Sequence, residues 1–229
     1  MISPAIEDYL KAIYDLAGDD GRANTSAIAR RLNVSPASVT GMLQKLAAQQ
    51  PSWISYAKNR GVRLTPDGRL RALEVLRHHR LIECFLHDTL GYSWDEVHAE
   101  AERLEHAISE TMEDRMAMHL GDPVTDPHGH PIPRKDGTVP PRREIALADL
   151  PAGSCAAISR VPDNDPSLLR FLEREGLVPN ALIAVVSSEP SSETISVRVD
   201  ASSRTCVVNR LIARDVHVYD RRSAKGRRS

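Results

Sequence analysis

The prevailing rhythm of the apolar residues changes along this chain from helical to β-type, and the change falls across a proline-rich break. Up to Leu120, outside one short β-favouring stretch, they recur at three- and four-residue intervals, the period of a helix with one buried face. From residue 145 they come instead in short β-rich runs, GSCAAISRV, ALIAVVSS, TISVRV, CVVN and VHVY, with one helical segment from Pro166 to Glu175. Between them, Asp122–Pro141 holds six of the fifteen prolines together with Gly129 and Gly137, which argues against a stable helix or strand and for a linker. A chain of 229 residues exceeds the usual single domain. The expected architecture is mainly α with a small β domain: a reader over 1–64, a helical block over 65–120, a linker over 121–144, a small β barrel over 145–220 and a disordered basic tail over 221–229.

The amino-terminal pattern is specific. A first helix runs from Pro4 to Leu16 on Ile6, Leu10 and Ile13, and a short one, SAIARRL, follows a Thr25 cap. Ser35-Pro36 then opens a third helix, in which Val39, Met42, Leu43 and Leu46 share the inner face. WISYAKNRGVRL reads as a β hairpin with Asn59-Arg60-Gly61 at its tip. Two short helices, a tight turn and a hairpin make a winged helix-turn-helix. No acidic residue lies between Asp20 and Asp67, whereas Arg22, Arg30, Arg31, Lys45, Lys58, Arg60 and Arg63 are all cationic. A near-neutral chain thus concentrates positive charge on its reader, which suits a polyanion. The Thr65–Leu120 block is the reverse, with twelve Asp and Glu against six Lys and Arg.

Cys84, Cys155 and Cys206 are far apart and form no C-x-x-C pair, so neither a disulfide framework nor a zinc knuckle is expected. The start, MISPAIEDYL, lacks the pattern of an export signal, and no apolar run reaches the length of a membrane span. A reducing cytoplasm is the expected location.

Within the helical block, His79 and Glu83 stand four residues apart on one helix face, and His98, Glu102, Glu105 and His106 share a face of the next. A single His–Glu pair at helical spacing is commonly a solvated ion pair. Two such stripes provide the oxygen-and-nitrogen mixture a divalent metal takes, if the helices face each other. His119, His128 and His130 are assigned no role.

The succession EDYLKAIYDL, SAIARRLNVSPASVTGMLQKL, RGVRLTPDGR, RHHRLIECFL and EAERLEHAIS resembles the diphtheria toxin repressor family of metal-dependent transcriptional regulators. The likeness extends through DPHGHPIP to the β-rich end, which resembles that family's SH3-like (FeoA-like) β-barrel. It implies a homodimeric repressor, not an enzyme, that binds palindromic double-stranded DNA and controls metal uptake. It also implies a primary metal site of Asp8, Glu102, Glu105 and His106, and an ancillary site of His79, Glu83 and His98. In relatives the SH3-like domain lends the ancillary site a ligand, a part open here to Asp163, Asn164, Asp165 or Ser167. Iron-responsive members carry methionine and cysteine where this chain has Asp8 and Glu102, and hard carboxylates favour Mn(II), with Fe(II) as the second expectation. Two departures complicate that choice. Lys11 replaces a glutamate common in the manganese branch, while His98 and the C-terminal domain resemble the iron branch.

For DNA, the third helix offers small residues, Ser35, Pro36, Ala37, Ser38 and Thr40, with Gln44 further along. Such residues allow close approach to phosphates and thymine methyl groups but few bidentate base contacts. Arg30, Arg31, Lys45 and Arg60 are the candidate phosphate contacts, each alternatively an ordinary solvated cation. Two further readings stand beside the metal sensor: a metal-independent or small-molecule-responsive winged-helix regulator, and a dinuclear metallohydrolase. The hydrolase leaves the basic reader unexplained.

Overall fold

The computed structural model describes residues 3–18, 20–57, 60–189, 191–199 and 205–219. These divide into two compact units: Met1–His79 with Arg103–Glu113 and Pro133–Val139, and Arg80–Glu102 with Asp114–Ile132 and Pro140–Ser229. The tail over 221–229 and two wing-tip residues, Lys58 and Asn59, lie outside the described residues.

In the first unit, α1 (Pro4–Asp15), α2 (Thr25–Arg31) and α3 (Pro36–Ala47) precede an antiparallel hairpin of β1 (Ile54–Ala57) and β2 (Gly61–Leu64). Leu10, Ile13, Ile28, Val39, Leu43, Leu46 and Val62 are fully buried in one cluster. Each of the leucines that anchor α3 contributes about 2 kcal/mol by leaving water. The cap of α2 is Asn24, whose side chain accepts from the Ser26 amide; Thr25, the expected cap, is already the first helical residue. An Asn accepts the Ser26 amide while sitting in extended backbone, so the helix starts one residue earlier than the Ser/Thr reading places it. Asn33, at φ 52°, turns the chain from α2 into α3, and Ser35 caps α3 by accepting from Ser38 N at 3.1 Å. The hairpin is tied back to the helices because Ala23 exchanges two backbone hydrogen bonds with Val62, at 2.8 and 3.0 Å. Gly61 is required there: its φ is +74°, and a Cβ would come within 2.6 Å of the Ala23 carbonyl oxygen.

The long helix α4 (Pro66–Asp88) gives its first part to this unit and its second part to the other. In the second unit, Leu81 and Cys84 of α4 pack with Ala117 of α6 (Glu110–His119) and Ile132. The helix expected over Trp94–Ser109 is shorter: α5 spans Val97–Leu104, and Glu105–Ala107 form a turn. No Gly or Pro lies in that stretch, so the stop comes from tertiary contacts, described below.

The remaining strands are β3 (Glu144–Ala146), β4 (Cys155–Arg160), β5 (Leu182–Ser187), β6 (Thr194–Val199), β7 (Thr205–Asn209) and β8 (His217–Tyr219). They form one antiparallel sheet in the order β3-β8-β4-β5-β6-β7, with α7 (Pro166–Arg174) and α8 (Arg210–Asp215) beside the strands in sequence. Among the described residues the sheet stays open, with β3 and β7 at its edges, where a closed barrel was expected. Strand alternation fixes which face is buried but not whether the edges meet. Ile158, Val161, Leu169, Leu172, Ile195 and Val208 are among the fully buried core residues.

Candidate metal centres and nucleic-acid face

In the first unit, α1 presents Asp8 to the turn that follows α5. Asp8, Glu105 and His106 each offer a ligand atom, all within 4.8 Å of one another. His106 Nε2 lies 2.8 Å from Asp8 Oδ1 and 3.5 Å from Glu105 Oε1, while its Nδ1 is 2.6 Å from Glu7 Oε2. Glu7 can therefore take the Nδ1–H and orient the ring, leaving Nε2 directed at the two carboxylates. Glu105 is buried. Its Oε2 is 2.5 Å from His79 Nδ1 and 2.7 Å from the Lys11 ammonium, and its Oε1 is 3.0 Å from the same ammonium. These contacts, with His78 Nδ1 held 3.2 Å from the Glu105 carbonyl oxygen, take Glu105 out of helical register and account for the early end of α5.

The second unit holds a second cluster. Glu83 of α4 is fully buried and lies 3.2 Å from His98 Nδ1 of α5; Glu102, also in this unit, stands 3.7 Å from His98 Nε2. Glu83, His128 and Asp163 form a further group whose ligand atoms lie within 4.8 Å of one another. His128 arrives from the Pro-rich linker through a compact loop, in which Asp126 Oδ1 accepts the amides of His128 and His130, both at 2.9 Å. Gly129 between them has φ +92°, and a Cβ there would overlap the Ser159 carbonyl oxygen. The His128 ring stacks on Trp94 at 5.4 Å and donates through Nε2 to the Trp94 carbonyl at 2.9 Å.

That donation leaves His128 Nδ1 as an acceptor. It is buried without a hydrogen-bond partner and faces Glu83 Oε1 at 3.9 Å, lone pair towards carboxylate. Such an arrangement is costly unless a cation stands between the two, so the donor set fits a divalent metal. Charges around it are balanced tightly. Burial by itself would raise the Asp163 carboxyl, but His130 and then His98 outweigh it and hold Asp163 below the ordinary carboxylate value. Burial would likewise depress His130, yet Asp126 and Asp163 keep its imidazole above the ordinary value.

The sequence-derived candidates are thus distributed as follows. Asp8, Glu105 and His106 come together; His79 meets Glu105; Glu83, His98 and Glu102 belong to the second unit. Asp163 alone of the four loaned-ligand candidates joins the Glu83–His128 group, while Asp165 instead caps α7 by accepting from Ser167 N and Leu168 N. His128, assigned nothing from sequence, is the residue missed. Its signal was the Asp-Pro-His-Gly-His spacing, which has no helical or strand period to give it meaning.

On the opposite chemistry, Arg30, Arg31, Ser35, Pro36, Ala37, Ser38, Gln44, Lys45 and Arg60 are exposed, and Thr40 is half-buried. They sit on α2, the outer side of α3 and the hairpin. Arg22 steadies the wing by donating to the Arg60 carbonyl oxygen at 3.0 Å. No helix among the described residues is long and apolar enough to cross a membrane.

Known proteins share this organisation. Residues 1–62 match the family described as iron dependent repressor, N-terminal DNA binding domain; residues 65–134 match its metal binding and dimerisation domain; residues 145–220 match the FeoA domain. The iron-dependent repressor IdeR of Mycobacterium leprae is 36% identical over 194 residues, covering 80% of this chain and 84% of that protein. The transcriptional regulator MntR of Geobacillus kaustophilus is 39% identical over 116 residues, 51% of this chain and 80% of that protein. A solved manganese-dependent transcriptional repressor in complex with manganese superposes with a TM-score of 0.86 at 35% identity, covering 94% of this chain and 99% of that one. With a reader rich in exposed cations, two carboxylate–imidazole clusters and these relatives, the chain belongs to the diphtheria toxin repressor family of metal-dependent, dimeric, DNA-binding transcriptional repressors.

Proposed function

We propose that this repressor is a cytoplasmic manganese sensor, with Fe(II) as a second effector, and that it controls genes of metal uptake and homeostasis. The observation that carries the metal choice is the Asp8–Glu105–His106 group: two carboxylates and one imidazole within 4.8 Å, a hard oxygen-and-nitrogen set. Glu102 is kept as a candidate fourth ligand of this site. Glu83, His98, His128 and Asp163 would hold a second ion, the ancillary site for which His79 is also kept as a candidate from sequence.

A bound divalent ion would supply positive charge to Asp8 and Glu105 beyond what the Lys11 ammonium gives Glu105. The chain does the rest. Asp8 is on α1, whose Leu10 and Ile13 are part of the same core as α3 and the hairpin, so fixing Asp8 against His106 fixes the reader. Glu7 orients the His106 ring, and Lys11 fixes Glu105. Moving a two-state reader from mostly incompetent to mostly competent takes about 5.5 kcal/mol of differential binding, a sum within reach of a few charged ligands. In a dimer the two α3 helices then meet successive major grooves of a palindrome, with Ser35, Pro36, Ala37, Ser38, Thr40 and Gln44 towards the bases and Arg30, Arg31, Lys45 and Arg60 towards phosphate. The domain limits 1–64, 65–120, 121–144 and 145–220 carry these roles as reader, dimerisation block, linker and SH3-like domain.

The test is operator binding by fluorescence anisotropy, using DNA from upstream of the protein's own gene, with Mn(II), with anaerobic Fe(II) and with chelator. Tight binding with Mn(II) and weaker binding with Fe(II) is expected. Equal affinity in all three conditions would favour a metal-independent regulator.

A further inference from the structure

Trp94 belongs to two parts of the second unit at once. It precedes α5 of the helical block, yet its side chain is buried in the core of the β domain, in one cluster with Leu169 and Leu172 of α7. From there it meets the His128 loop in three ways. Its ring stacks on the imidazole at 5.4 Å and 29°, its backbone carbonyl accepts from Nε2 at 2.9 Å, and its indole Nε1–H donates to the Pro127 carbonyl oxygen at 3.1 Å. The loop is fastened to the same domain from its other side, because the Val161 amide donates to the His128 carbonyl oxygen at 3.0 Å. Asp95, next in sequence, accepts from Arg170 of α7 at 2.5 Å. The ring of His128 is thus gripped by one residue that is itself locked into a hydrophobic core.

We propose that Trp94 is a positioning residue for the second cluster: it keeps the ring proton of His128 on Nε2, away from Glu83, and so holds the Nδ1 lone pair open for a divalent ion. The inference rests on the metal reading of the Glu83–His128–Asp163 group above. An imidazole free to turn beside Glu83 would carry its proton on the nitrogen facing the carboxylate, because a buried lone pair opposite a carboxylate is the costlier arrangement. That proton would occupy the place of the ion. Trp94 works against this outcome twice, since its carbonyl rewards a proton on the far nitrogen and its ring fixes the plane in which the imidazole lies. A hydrogen bond to the second nitrogen sets tautomer and orientation in metal-ligating histidines generally. Because the indole is part of the β-domain core, seating of that domain and orientation of the His128 ligand become one event.

Nitrogen-15 NMR of the full-length, metal-free protein at neutral pH reads which His128 nitrogen carries a proton, the signals being assigned by their loss in His128→Gln. Expected are a protonated Nε2 and a bare Nδ1 in the unmodified chain, the same in Trp94→Phe, which keeps a buried stacked ring, and a protonated Nδ1 in Trp94→Leu. Equilibrium dialysis with Mn(II) should then find the ion that Glu83→Gln loses held about ten- to a hundredfold more weakly in Trp94→Leu. A proton on Nδ1 in the unmodified chain or in Trp94→Phe overturns the inference. So does a folded Trp94→Leu, checked by circular dichroism, in which either the His128 spectrum or the Mn(II) affinity is unchanged. Should Trp94→Leu not fold, the other two spectra decide: a bare Nδ1 in both supports the inference and a proton there in either overturns it. If Glu83→Gln loses no Mn(II), the metal reading of this group falls and the inference with it; if it loses an ion while the spectra fail, the inference falls alone.

Discussion

Replacing Glu83 by glutamine should reverse its effect on stability depending on whether metal is present. Glu83 is fully buried, and its carboxylate lies within 4.8 Å of Asp163. At an effective dielectric constant of about 20, two unit charges at that separation repel by about 3.5 kcal/mol. Glutamine removes the repulsion and can still accept from His98, so the loss there is the difference between a charged and a neutral hydrogen bond, about 1–2 kcal/mol. In chelator the variant should therefore be about 1.5–2.5 kcal/mol more stable, a midpoint about 3–10 °C higher for a chain of this size. With Mn(II) at a hundred times its dissociation constant, the unmodified protein gains about 2.7 kcal/mol and the variant little, because a ligand is gone. The order of midpoints should then invert. Thermal unfolding followed by circular dichroism, with chelator and with Mn(II), reads both. A variant less stable than the parent in chelator, or one that keeps the full Mn(II) shift, would refute the assignment of Glu83 as a metal-site carboxylate held against Asp163.

His106→Ala removes the ring that Glu7 orients towards Asp8 and Glu105; operator affinity in Mn(II) should fall at least about a hundredfold by loss of the closing interaction, with binding in chelator unchanged, and anisotropy decides. Lys45→Ala and Arg60→Ala should each weaken binding to all DNA sequences and reduce the salt slope of the affinity by about one, whereas a change confined to one base position would contradict a phosphate role. Glu144 is held below the ordinary carboxylate value because Ser159, Arg160 and Arg142 outweigh the effect of burial, so its stabilisation is complete above that ordinary value and lost as pH falls through the lowered one. Glu144→Gln should cost about 3 kcal/mol at neutral pH, with the gap to the parent closing in acid; a gap independent of pH would reject the ion cluster as its source. Gly129→Ala, whose Cβ meets backbone, should distort the His128 loop and remove the Mn(II) bound by the second cluster without reducing that held at Asp8, as counted by dialysis.

Sequence by itself determined the parts governed by local periodicity and capping. The run of apolar residues in α1, α3 and α4, the Ser35-Pro36 helix start and the alternation in β4 to β6 each read out a period, and the structure has those elements within a residue or two. The acid-free reader was equally legible, because charge needs no fold to be counted. Only tertiary structure decided what Glu105 would touch. Of the ligand-type residues expected on one helix face, His98 and Glu102 stay on α5, but Glu105 leaves the helix because α5 ends at Leu104, an end fixed by Lys11, His78 and His79 from other elements rather than by any breaker in the sequence. The same holds for His128. Its two ring nitrogens acquire different roles only when the Trp94 carbonyl takes one and burial isolates the other beside Glu83, a distinction that depends on residues 34 and 45 positions away and that no local pattern can carry.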